Sequence, residues 1–360
     1  MERKSIITAS QLFVLLFITR MATSIAYNNL ALNNKNMIDH ILSAIVSFLL
    51  TFILIIPVYK LYKLDKKLDL TDNFINLFSK FGYVFIFVYI CYFILESSYT
   101  LASLNNFISS SMNMPISVNI LSVVLILISC YGAYKGLEGL ARTSSITLLF
   151  LSIFIFFVIF SLFSGLNMSN FKPFLYENFD SFNSGIIYML SRNFSIPVLG
   201  ILMSFVRGNI KKSIITWNIC VYGFICIMIF LMIGSMGDFL QTQLFPIYTA
   251  LCVAKIGELQ HLDAIYLGVW ITTVFIKISL FLLLCSESVK KMFGDFASKV
   301  SILIFGFLVV LGSSFVYKKD IFSGLFNINF IFYFTMVVSF VIPVFVLIVK
   351  SLKLKGGKKS

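Results

Sequence analysis

Four ionisable residues interrupt otherwise apolar runs of this chain: Arg20, Glu96, Arg192 and Lys277. Lys277 sits near the middle of AIYLGVWITTVFIKISLFLLLCSE, residues 264–287. At 1.5 Å rise per helical residue it lies roughly 15–20 Å from either end of that stretch. A lysine at such depth in a bilayer costs about 2.5–3.5 kcal/mol on insertion scales. It therefore needs a counter-charge, a wet cavity or a ligand, and two readings follow: a structural ion pair inside a bundle, or a residue lining a buried site. The group holds three positive charges against one negative, so its members cannot all pair with one another. Carbonyl ends of broken helices, a deprotonated Lys277 or an anionic ligand could meet the surplus. A carboxylate fits the last case. Glu96 would then face an amine or neutralise Lys277, which points to an amino-acid ligand. Lys277 could equally stand where a sodium-coupled relative holds its ion, or carry a coupling proton.

The neighbours of these charges follow helical spacing. Tyr89, Tyr92, Glu96, Tyr99, Thr100 and Ser103 recur at intervals of three and four and share one face. Trp270, Thr273 and Lys277 share another. Ala22, Thr23 and Ser24 form a small polar cluster just after Arg20. Arg192-Asn-Phe-Ser-Ile-Pro-Val-Leu-Gly200 contains Pro197, which removes a backbone N–H and disfavours helix just before it. Paired breaks near Thr23 and Pro197 would free backbone groups for a ligand, as in many secondary transporters. The alternative is an unbroken first span and an ordinary proline kink.

Helices must carry these faces, and composition makes them membrane helices. Of 360 residues 59% are hydrophobic and only 12% charged, with a mean hydropathy of +0.98. Soluble domains run nearer 45–50% apolar and 25% charged. The expected fold is an all-α polytopic membrane protein, one transmembrane domain over 1–360. Ten spans are drawn at about 7–28, 39–61, 81–105, 118–136, 143–165, 183–206, 213–236, 264–287, 298–317 and 328–350. The N-terminal run resembles a signal peptide in its positive start. Arg20 inside it, and the lack of a clear cleavage site, make it a retained first span.

The loops test that count. Twenty Lys and Arg fall on one side and five on the other, with three inside spans. The basic side is read as cytosolic and holds both termini. Ten spans divide into five and five, and an odd-numbered half reverses when repeated, so 7–165 and 183–350 are expected to be inverted repeats. The loop 62–80 is amphipathic and is expected on the membrane surface. The stretch FPIYTALCVAKIGEL in 237–263 is too short to span; it is either re-entrant or a cap on the bundle.

Other classes are disfavoured. Net charge is +13, but the basic residues lie in short clusters between apolar runs, so no nucleic-acid partner is expected. The six cysteines show no metal-ligand spacing with His40 or His261, and no disulfide framework is implied. No nucleophile–base pair, metal cluster or phosphate loop is present, so neither an enzyme nor a cofactor is expected.

Three stretches carry a family resemblance. ITASQLFVLLF (7–17), NFKPFL (170–175) and above all FPIYTALCVAKIGELQHLDAIYLGVWITTVFIKISLFL (245–282) resemble the membrane B subunit of bacterial spore germinant receptors, the spore germination permeases. The resemblance implies the ten-helix, five-plus-five LeuT-type fold of the amino acid–polyamine–organocation superfamily, with helices 1 and 6 broken. It implies ligand contacts at Thr23, Ser24, Glu96, Tyr99, Ser195, Ile196 and Thr273 with Lys277. With Ala22 these are the candidate binding residues; Arg20, Arg192 and Lys277 are the candidate coupling or charge-compensating residues. It further implies a spore inner-membrane location, A and C partner subunits, and nutrient sensing that triggers germination, with ion conduction as an added role. A proton-coupled amino-acid permease and a structural subunit without a ligand are the other readings.

Overall fold

Every backbone N–H and C=O inside a bilayer must be satisfied within the protein, and helices do this without help from neighbours. The computed structural model describes residues 7–26, 38–111, 117–163, 165–173, 175, 179–253, 262–318 and 327–356. Over these residues the chain is almost wholly helical. A two-residue strand β1 (Ile7–Thr8) leads into α1 (Ala9–Ser24), followed by α2 (Asp39–Leu64), α3 (Leu70–Phe78), α4 (Gly82–Ser111) and α5 (Val118–Phe163). The second part holds α6 (Asp180–Ser191), α7 (Ser195–Leu202), β2 (Val206–Arg207), α8 (Ile210–Met236), α9 (Pro246–Val253), α10 (Leu262–Lys318), α11 (Ile328–Met336) and α12 (Ile342–Gly356).

Among the described residues, seven helical stretches are long and apolar enough to cross a membrane. Two of them are far too long for one crossing. The 46 residues of α5 and 57 of α10 would extend about 69 and 85 Å, against a hydrocarbon core of about 30 Å. Each breaks at a glycine with the same backbone: Gly136 at φ 84°, ψ −179°, and Gly294 at φ 87°, ψ −178°. Contacts show that α10 folds back there. Lys277 reaches Glu96, while Gly312 packs on Ser98, two residues further along α4. In an unbroken helix Lys277 and Gly312 would be about 52 Å apart. With α5 and α10 counted as two crossings each, the seven stretches make nine spans, and the shorter apolar helix α1 stands as the tenth.

The two expected breaks differ in form. The sixth span is interrupted outright: α6 ends at Ser191, Arg192–Phe194 leave the helix, and α7 restarts at Ser195. Pro197 falls in the first turn of α7, where its missing N–H has no intrahelical partner to lose. In the first span α1 runs through Thr23 and ends at Ser24. Its 16 residues reach about 24 Å, short of a full crossing. Residues 27–37, where a second half would lie, are outside the described set. The starts and ends of these two spans are tied: Ile7 pairs with Val206 in a parallel bridge, and the Ser213 hydroxyl donates to the Ala9 carbonyl.

Two connections close the ends of the bundle. Helix α3, capped by Asp69, buries Leu70 and Phe74. Phe74 lies 5.4 Å from the Tyr89 ring, and Phe78 stacks on Phe345 at 5.5 Å. The amphipathic loop thus docks its apolar face on α4 and α12. At the other end, the described part of the stretch 245–259 forms α9 as a cap. Phe245 and Tyr248 pack at 5.1 and 4.9 Å on Phe107, which also meets Trp270 at 4.9 Å.

Candidate functional site

The break in the sixth span exposes the carbonyl end of α6, and Arg20 of α1 fills it. Its guanidinium donates to Arg192 O at 2.9 Å and Met189 O at 3.2 Å. A cation at a helix C-terminus meets the negative end of the dipole and the carbonyls left without N–H partners. Thr335 of α11 donates to Ser191 O at 3.2 Å. The end of α1 is served by α10: Trp270 Nε1 donates to Ala22 O at 3.0 Å and Tyr266 OH to Ile25 O at 3.1 Å. Aromatic side chains with one polar tip suit this task, because they bury a large apolar body while delivering a single donor.

Below the break, Lys277 Nζ lies 3.2 Å from Glu96 Oε2, with both side chains essentially inaccessible. The ammonium also sits 3.8 Å from the Phe194 ring centroid, a cation–π contact strengthened by the dry surroundings. Glu96 Oε1 has no hydrogen-bond partner. The pair is neutral as a unit, but its carboxylate is only half satisfied, which makes it costly to disturb.

Arg192 stands apart from both arrangements. Its guanidinium lies 4.0 Å over the Tyr99 ring and 5.3 Å from that of Tyr188. It is 4% exposed, yet Nε and Nη1 have no hydrogen-bond partner. Arg192 lines a cavity of about 180 Å³ together with Ala22 and Thr23 of α1, Ala26 just beyond it, Tyr99, Ser103 and Asn106 of α4, and Val316 of α10. This is smaller than the roughly 300–1,000 Å³ of common small-molecule sites, so its occupant is a compact molecule. A guanidinium that borders a cavity and has no carboxylate partner among the described residues is a natural partner for an anionic ligand group.

The structure therefore sorts the candidate residues into groups. Ala22, Thr23, Tyr99 and Arg192 share the cavity. Ser24 lies beside a narrower space of about 20 Å³ on the far side of Arg20 and Arg192, toward α8. Glu96 and Lys277 form the pair beneath and do not line the cavity. Ser195, Ile196 and Thr273 are fully buried away from it; Thr273 donates to Trp270 O within its own helix. Asn106 and Phe194 are additions. Asn106 continues the Tyr99–Ser103 spacing by one more step of three, and the stripe could have been extended to it. Nothing in the pattern marks Phe194 as the ring under Lys277.

A bundle of ten spans with a discontinuous sixth helix and a polar cavity at the discontinuity is a LeuT-type transporter fold. Among solved structures the chain is similar to a Na⁺-coupled sialic acid symporter in a substrate-bound, outward-open state. The TM-score is 0.67 at 13% identity, covering 94% of this chain and 80% of the symporter. No curated protein matches the sequence. The model of the spore germination protein family matches residues 6–320, and the chain belongs to that family. It is a multi-pass membrane protein with a germination-permease architecture.

Proposed function

We propose that this chain is the membrane subunit of a spore germinant receptor and that it binds a small carboxylate-bearing nutrient in the cavity at the sixth-span break. One observation carries the reading: the buried Arg192 guanidinium lines the cavity between α1 and α4 and has no carboxylate partner among the described residues. Occupancy there would bridge α1, α4 and the α6–α7 break, three elements able to shift against one another. The response would pass to an A subunit and a lipoprotein C subunit in the spore inner membrane, with ion release as its consequence.

The detergent-purified chain tests binding directly. A ligand that binds only the folded form raises apparent stability. A screen of amino acids, hydroxy acids and sugars should give hits that vanish in Arg192→Gln and persist in Arg207→Gln, where the arginine is exposed. Hits indifferent to Arg192, or no hit at all, would favour a structural subunit. A second reading, a proton-coupled permease, draws support from the symporter-like fold and the buried Lys277–Glu96 pair. Proteoliposomes holding this chain alone separate the two, because only the permease takes up labelled ligand without partners.

A further inference from the structure

The charge and acceptor inventory of the cavity narrows its ligand further. Resting on the reading of this cavity as the ligand site, we infer that its ligand is a small carboxylate without a free ammonium group, of the 2-hydroxy or simple short-chain acid type, and not a zwitterionic amino acid.

An amino acid needs two opposed partners, a cation for its carboxylate and a cluster of acceptors for its ammonium. The first is present in Arg192. The second is weak: the acceptors among the lining side chains are neutral hydroxyls and the Asn106 amide oxygen. No acidic residue lines the cavity among the described residues. Glu96, the carboxylate within the described bundle nearest in sequence to Tyr99, is held by Lys277. Helix-end carbonyls are the other natural ammonium acceptors, and the last four of α6 are all engaged. Tyr188 O accepts from Ser191 Oγ, Met189 O from Arg20, Leu190 O from the Asn193 N–H, and Ser191 O from Thr335. Arg192 O accepts from Arg20. On α1, Arg20 O accepts from the Thr23 and Ser24 hydroxyls, Ala22 O from Trp270 and Ile25 O from Tyr266.

Charge points the same way. Once Glu96 and Lys277 cancel and Arg20 is met by carbonyls, Arg192 remains as a cation with aromatic faces and no anionic partner among the described residues. A monoanion neutralises it. A zwitterion is net neutral, so it would leave the Arg192 charge uncompensated and set its own ammonium in the same low-dielectric space, where like charges repel strongly. Ser103, Asn106 and Thr23 are neutral hydrogen-bonding groups and suit a hydroxyl or carbonyl at the carbon next to the carboxylate.

A matched series on one carbon skeleton tests the inference by thermal shift and calorimetric titration of the full chain: lactate, pyruvate, propionate, alanine and alaninamide. The expected result is a stabilising shift with at least one of the first three, at least tenfold tighter than alanine, and none with alaninamide. The shift should disappear in Arg192→Gln. If that variant does not fold, Arg192→Lys, which keeps the charge and loses the fork, should weaken the binding at least tenfold. Alanine binding as tightly as lactate in an Arg192-dependent way would overturn the ligand class and leave the site standing. Binding of the acids that ignores Arg192, or no binding of any of the five, would overturn both.

Discussion

Lys277 and Glu96 illustrate what a buried charge costs and what its partner returns. Removing either leaves the other buried and unpaired, a loss of about 3–5 kcal/mol, whereas replacing both with neutral groups of similar volume costs far less. Lys277→Met and Glu96→Gln should each lower the apparent melting temperature of the purified chain, and the double variant should melt closer to wild type than either single. An additive double variant would show that the contact is incidental. Arg20 makes a different prediction. Its two bonds to the carbonyls of Met189 and Arg192 are charge-assisted, so Arg20→Met should destabilise by about 1.5–3 kcal/mol, with Arg20→Lys recovering part through a single donor. Chemical-denaturation midpoints would read this. All four charges were legible in the sequence because an apolar background leaves a lone arginine or lysine nothing else to be. Their partners were less so. That carbonyl ends could absorb a cation followed from the proline-marked break, but which cation did not, since Arg20 and Arg192 lie 172 positions apart and only the fold brings them together.

Helix ends decide how these residues meet. Gly136 and Gly294 hold a backbone combination, φ near +85° with ψ near 180°, that only glycine adopts without strain. A Cβ at either would meet nothing within 4 Å, so the penalty of a substitution there is purely conformational. Gly136→Ala should cost about 1–3 kcal/mol, while Gly139→Ala, with an ordinary backbone, should be neutral or slightly stabilising; thermal unfolding of the two variants compares them directly. The Lys290–Asp295 ion pair at 2.6 Å spans the second turn. Its hydrogen bond and charge hold the Asp295 carboxyl below the ordinary range, so whatever this exposed pair adds is lost as pH falls through that lowered value. A stronger clamp lies nearby. Lys291 reaches the buried Asp69 carboxylate, Asp72 at 2.9 Å and the Thr71 hydroxyl at 2.6 Å. Lys350 and Lys353 hold the same helix through Asn73 at 2.6 Å and Leu77 O at 2.9 Å. Lys291→Met should release α3, raising amide exchange across 69–78 while that of α8 stays unchanged. Periodicity announced the apolar face of α3, but not that three lysines from α10 and α12 would pin it, because those contacts span more than 200 positions.

At the scale of the whole molecule, the packing sorts the loops into the same two sets as the lysine and arginine distribution. Loop 62–80, the turn after Glu287 and the C-terminal helix meet at α3 through Lys291, Lys350 and Lys353, and all belong to the basic set. The loops 166–182 and 237–263 meet at the opposite end through Lys172 and Asp238 at 2.6 Å, beside the bond from Asn170 to Gly234 O at the end of α8, and both belong to the sparse set. Two arguments of different origin, charge asymmetry and tertiary contact, thus agree on these five segments. An odd error in the span count would have put contacting loops on opposite faces. Packing carries no direction; the charge asymmetry supplies the expectation of one, with the basic loops on the cytosolic side. In a cysteine-free background, a single cysteine at Lys67 or Lys299 should resist a membrane-impermeant maleimide in intact cells and react after permeabilisation. One at Ser169 or Asp238 should react in intact cells. The reversed pattern would place the Arg192 cavity, which lies toward the Ala26 and Val316 ends of α1 and α10, on the cytosolic half of the membrane, and a receptor for external nutrients could not be built that way round.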